Sequence, residues 1–180
     1  MAELGVEYNG PMFVSLGWLI IYYTYMQCTA VLGVTVKDYP EAQKTWADRS
    51  FMNMGEQAPA FLLSLWVHTF YVSPESATTV GTVYLLTRIL YGILRFKAKG
   101  AMGMDVVMAC TVPGYSMNFY LLGSSALVRM GMDVFANPLW AFACFPISMA
   151  WFMTATACMK MTMNWFKSGP ASDTAPLAPI

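Results

Sequence analysis

The chain has 180 residues, 57% hydrophobic and 11% charged, where a soluble domain carries about 25% charged residues. Ten Lys and Arg offset ten Asp and Glu, giving a formal net charge of zero. No basic block is dense enough to form a nucleic-acid surface, so that partner class is excluded and the composition is that of a membrane protein. Cys28, Cys110, Cys144 and Cys158 fall inside apolar runs without CxxC or Cys/His spacing, which indicates neither a disulfide framework nor a zinc site. His68, the single histidine, stands on an apolar face and reads as a packed core residue. A Ser-His-Asp hydrolase, a haem site and a multi-histidine metal site therefore lack their residues, and no metal ligands are expected.

Residues 1–10 contain Glu3 and Glu7 but no positive charge, so they lack the basic start of a secretory signal. Residues 12–36 are free of charge and long enough to span a hydrocarbon layer of about 30 Å. Tyr22, Tyr23, Tyr25 and Gln27 are more polar than lipid contact needs, and some are expected to face a bundle interior. A connector over residues 37–47 leads to Asp48, which the pattern predicts as the N-cap of a second helix over about 49–72.

That helix carries the most informative stretch. Arg49, Asn53, Glu56 and Gln57 follow one another by steps of four, three and one, which at about 100° per residue keeps them within one third of the helix circumference. Ionisable groups at membrane depth are functional candidates because they are costly unless paired. The plainer alternative is that Arg49 snorkels to the headgroups while Asn53 and Glu56 hold helices together. Pro59, just beyond the stripe, is expected to kink the helix and open space beside Asn53 and Glu56.

The turn Ser73-Pro74-Glu75-Ser76 predicts an antiparallel third helix over about 76–96, with Arg88, Tyr91 and Arg95 on one face. Because the two helices run in opposite directions, the two polar stripes meet at one membrane surface. A basic connector over 97–103 precedes a fourth span over 104–130, with Asp105 favouring its N-terminus and Pro113-Gly114 weakening it. Residues 138–166 form a fifth span whose Met, Phe and Trp read as lipid-facing or helix-packing surface. The tail, with Pro170, Pro176 and Pro179, reads as extended or disordered. Lys37, Lys44, Arg49, Arg95, Lys97, Lys99, Lys160 and Lys167 all fall on one side of this five-span arrangement. By the positive-inside rule that side is cytosolic, with the N-terminus opposite.

Two motifs carry a family likeness: R-x-x-x-N-x-x-E-x-x-P-x-F-L at residues 49–62, and R-x-x-Y at residues 88–91 followed by a basic loop and Gly100-Ala101-Met102-Gly103. They resemble the MAPEG family, which includes microsomal glutathione transferases, leukotriene-forming synthases and the lipoxygenase-activating protein. The resemblance implies a four-helix subunit, a homotrimer, and glutathione bound as co-substrate in a cytosol-facing cleft between neighbouring subunits. It implies that Arg49, Asn53, Glu56, Arg88 and Tyr91 contact glutathione. Arginine can clasp a carboxylate, glutamate can receive an ammonium, and asparagine can do either.

The chain also departs from that pattern. Gln57 and Arg95 stand where leukotriene-forming members have tyrosines, and Met102 stands where they carry the arginine that stabilises the thiolate. Arg95, with Tyr91, is then the candidate catalytic pair, and Lys97 and Lys99 are substitutes in the connector.

The expected fold is an all-α integral membrane protein, a MAPEG-like four-helix bundle with an additional fifth transmembrane helix. Residues 1–131 form the bundle, 132–166 the additional helix and 167–180 the tail. The expected function is a multi-pass glutathione transferase or peroxidase of the endoplasmic reticulum or another organellar membrane, acting on lipophilic electrophiles. The alternative is a non-catalytic, lipid-binding adaptor or accessory subunit of a larger membrane complex, docking through the fifth helix. A transporter is disfavoured by the lack of an internal repeat.

Overall fold

The computed structural model describes residues 7–34, 41–97 and 103–168. Lys37, Asp38 and Pro40, residues 98–102 with Lys99 and Met102, and the proline-containing tail lie outside them. All regular structure among the described residues is helical: α1 (Asn9–Val34), α2 (Glu41–Tyr71), α3 (Pro74–Lys97), α4 and α5 (Trp140–Ser168). Helix α4 is continuous but wound in three segments, Met104–Val106, a π turn over Val107–Thr111, and Val112–Arg129; a 3-10 turn, Asp133–Ala136, follows it.

The second helix starts well before the expected Asp48 cap. Glu41 to Ala47 contains good helix formers, and Trp46 anchors these extra turns, about two of them, on its neighbours. Its indole Nε1 donates to the Gly92 carbonyl at 2.6 Å, and its ring meets Tyr25 and Phe96 edge-on. Asp48 is thus an exposed side chain within the helix rather than its cap. At 31 residues and about 1.5 Å each, α2 is longer than a hydrocarbon layer is thick.

Helix α4 runs through Pro113-Gly114, the pair expected to weaken it. Pro113 has no N–H for the preceding turn, and that turn is wound as π, the form in which helices commonly absorb such an irregularity, often beside functional sites.

Helices α1 to α4 enclose the larger of two hydrophobic clusters among the described residues. Phe61 and Tyr84 stack at 3.7 Å with their planes 9° apart, among Trp18, Leu65, Met117 and Leu121. Gly81 lets Val14 and Leu65 approach its backbone, and Gly92 lies directly beneath the Tyr25 hydroxyl. At the end away from Arg49, fully buried His68 ties three helices together. Its Nε2 pairs with Ser76 Oγ, and its Nδ1 lies 3.0 Å from Ser124 Oγ and 3.2 Å from the Leu121 carbonyl. Helix α5 packs along α4, and its apolar length is almost entirely uncovered.

By length and composition, two described helices are apolar enough to cross a membrane, residues 74–97 and 140–164. Helices α1, α2 and α4 dilute their apolar runs with tyrosines, serines and amides that face the bundle, such as Tyr25, Asn53, Ser116 and Ser124.

Candidate functional site

The stripe on α2 opens onto a cleft of about 450 Å³ lined by Arg49, Asn53, Glu56 and Gln57. Thr111, Tyr115, Asn118 and Phe119 of α4 form the facing wall, and Trp151 and Phe152 of α5 close the side. The volume lies within the usual range of about 300–1,000 Å³ for small-molecule sites.

Two turns apart on α2, Arg49 and Glu56 pair with each other, Nη1 to Oε1 at 3.1 Å, with their side chains 41% and 50% exposed. They are the only ion pair among the described residues. The Asn53 amide is buried and points the other way: its Oδ1 accepts from Arg88 Nη1 at 3.0 Å. Gln57 is also fixed, accepting from the Tyr84 hydroxyl at 3.0 Å.

Arg88 lies one layer behind the cleft and is 1% exposed. Besides Asn53 it donates from Nη2 to the Cys110 carbonyl at 2.5 Å and from Nε to Thr87 Oγ1 at 3.2 Å. Its guanidinium also faces the rings of Tyr84 and Tyr91, 5.1 and 5.7 Å from their centroids. No described carboxylate pairs with it. The guanidinium is admitted by Gly114, where any Cβ would collide with Nη2. A full positive charge is therefore buried among neutral acceptors, an arrangement that favours a negative group nearby.

Tyr91 and Arg95 lie further along α3, both buried, with Arg95 stacked over the Tyr91 ring at 5.8 Å. Tyr91 packs on Val106 and Cys110. Neither residue lines the cleft. The Tyr91 hydroxyl and Arg95 Nε are buried without a hydrogen-bond partner among the described residues, as are Thr111 Oγ1 and Asn118 Oδ1 on the cleft wall. Buried polar atoms are nearly always satisfied, so these four have hydrogen-bonding capacity to offer a ligand or water.

Of the residues picked out in sequence, Arg49, Asn53 and Glu56 are thus brought together on the cleft, Arg88 is attached to it through Asn53, and Tyr91 and Arg95 form a separate layer. Thr111, Tyr115 and Asn118 were missed, although steps of four and three in a charge-free span place them on one helix face.

A family model described as the MAPEG family matches residues 10–112. The chain belongs to the MAPEG family. No curated protein matches it. The matched region includes α1, α2 and α3 and ends within the first half of α4, at the π turn. In this MAPEG chain, then, the family region supplies the charged wall of the cleft and Thr111. Tyr115, Asn118, Phe119, Trp151 and Phe152 come from beyond it. Family membership and the two apolar helices together support a membrane protein.

Proposed function

We propose that the cleft binds glutathione and that the protein is a membrane glutathione transferase or peroxidase for lipophilic electrophiles. The observation that carries this reading is the charge arrangement. An exposed Arg49–Glu56 pair stands beside an asparagine whose amide is polarised by a buried, otherwise uncompensated Arg88. A zwitterionic peptide fits such a surface, because a carboxylate on Arg49 and an ammonium on Glu56 replace one ion pair with two. The family generally uses glutathione, which supports the same ligand.

In the transferase reaction the thiol loses its proton and the sulfur attacks the electrophilic carbon. A carbon–sulfur bond forms as the leaving group departs with its electron pair. In the peroxidase reaction two glutathiones reduce a hydroperoxide to alcohol and water and end as the disulfide. Both need thiolate, which a cation stabilises. Arg95 is the proposed stabilising cation and Tyr91 its neighbour, and their unpartnered Nε and hydroxyl favour a role toward a ligand.

One observation favours the second reading, a non-catalytic adaptor or accessory subunit: Tyr91 and Arg95 do not line the cleft. Thiolate absorbance on adding glutathione at neutral pH separates the two. The enzyme reading expects a thiolate signal in the wild type that is lost in Arg95→Ala. Glutathione binding without any such signal selects the adaptor, and no binding at all overturns the enzyme reading.

A further inference from the structure

We propose that Trp151 and Phe152, on the fifth helix, form the subsite for the apolar part of the cleft's ligand, an alkyl or aryl group joined to or reacting with glutathione sulfur. The inference rests on the glutathione reading above and adds to it the part of the site that selects the second substrate.

The cleft is two-sided in chemistry. Arg49, Asn53, Glu56, Thr111 and Asn118 are polar or charged, whereas Phe119, Trp151 and Phe152 offer only apolar and aromatic surface apart from one indole N–H. Trp151 is held in place: Tyr115 meets its ring edge-on at 5.1 Å and 81°, and Phe119 at 5.9 Å and 75°. It nevertheless leaves about half its surface uncovered. A fixed aromatic plane, half free, beside two buried oxygens that lack partners suits a ligand with a polar head and an apolar substituent.

These aromatic residues lie beyond the region matched to the family. The fifth helix carries little buried surface of its own along most of its length. At Trp151 and Phe152 it instead reaches across α4 to the same cleft as α2. A lipophilic co-substrate in the bilayer can reach this wall along α5, whose apolar length is almost entirely uncovered.

The test is calorimetric titration of the full chain in detergent with glutathione and with S-hexylglutathione. Wild type is expected to prefer the hexyl derivative by about tenfold, because much of the chain is withdrawn from water. Trp151→Ala and Phe152→Ala should each lose most of this preference while keeping glutathione affinity within about twofold. Trp151→Phe should retain it, and Met153→Ala, on the exposed side of the same helix, should leave it unchanged. An unaltered preference in both alanine variants overturns the proposal. So does an equal loss of both ligands in both variants, which would make the two rings structural supports. Failure of wild type to bind glutathione at all overturns the underlying reading instead.

Discussion

Arg88 is held by an amide oxygen, a hydroxyl and a backbone carbonyl rather than by a carboxylate, and it is among the most completely buried side chains in the chain. Replacing it by methionine keeps much of the volume but leaves Asn53 Oδ1 and the Cys110 carbonyl without their donor. At about 1–3 kcal/mol for each abandoned acceptor, Arg88→Met is expected to lower thermal stability in detergent clearly. It should also abolish glutathione binding, since Asn53 then loses its orientation; unchanged stability would show that water replaces the guanidinium. Glu56 allows a more selective test. If it receives the ammonium, Glu56→Gln should weaken glutathione by about 1.5–3 kcal/mol, the worth of a hydrogen bond to a charged group. N-acetylglutathione, which has no ammonium, should bind both proteins equally in the same titration. The exposure of the Arg49–Glu56 pair keeps this expectation below that for a fully buried pair.

The π turn of α4 is the element that joins the two halves of the site: it directs the Cys110 carbonyl to Arg88 and Thr111 to the cleft. Its near neighbour Gly114 allows the guanidinium to approach, so Gly114→Ala is expected to destabilise by about 1–3 kcal/mol through overpacking. Gly123→Ala on the same helix meets no atom within 4 Å and should be neutral or stabilising by up to about 1 kcal/mol from helix propensity. Equal effects of the two substitutions in thermal unfolding would deny Gly114 this role. Elements of this kind were only partly legible in the sequence. Arg49, Asn53 and Glu56 could be placed on one face because helical geometry alone decides it, and the Ser73-Pro74 turn made α2 and α3 neighbours. The start of α2 was not legible, because Asp48 is a good local cap and only the docking of Trp46 on Gly92, far away in sequence, overrides it. Nor was the π turn, which sits where Pro113 lacks an N–H to donate and the Arg88 guanidinium takes the Cys110 carbonyl. The α4 and α5 walls of the cleft depend on tertiary packing between segments that carry no charge.

At the scale of the molecule, Gly81 and Gly92 of α3 serve close packing within one chain. Gly81 is filled by Val14 and Leu65, and Gly92 by Tyr25, all of the same chain. A homotrimer, common in the family, must then form through other surfaces, and we expect native mass measurement in mild detergent to give trimers that survive Gly81→Ala if that variant folds. Only monomers would remove trimerisation as an intrinsic property. The proposed topology of five spans places the C-terminus in the cytosol, and a reporter fused after Ile180 should report from that side. A lumenal signal would remove the fifth span or reverse the orientation.

The claim on which all of this depends is that the Arg49, Asn53 and Glu56 face of the cleft holds glutathione. Titrating glutathione into purified wild type and Arg49→Ala tests it most directly, since Arg49 is half-exposed and its removal leaves the core intact. Saturable binding by the wild type, weakened about tenfold or more in the variant, is the expected result. Equal affinity in the two proteins, or no binding to either, would contradict it.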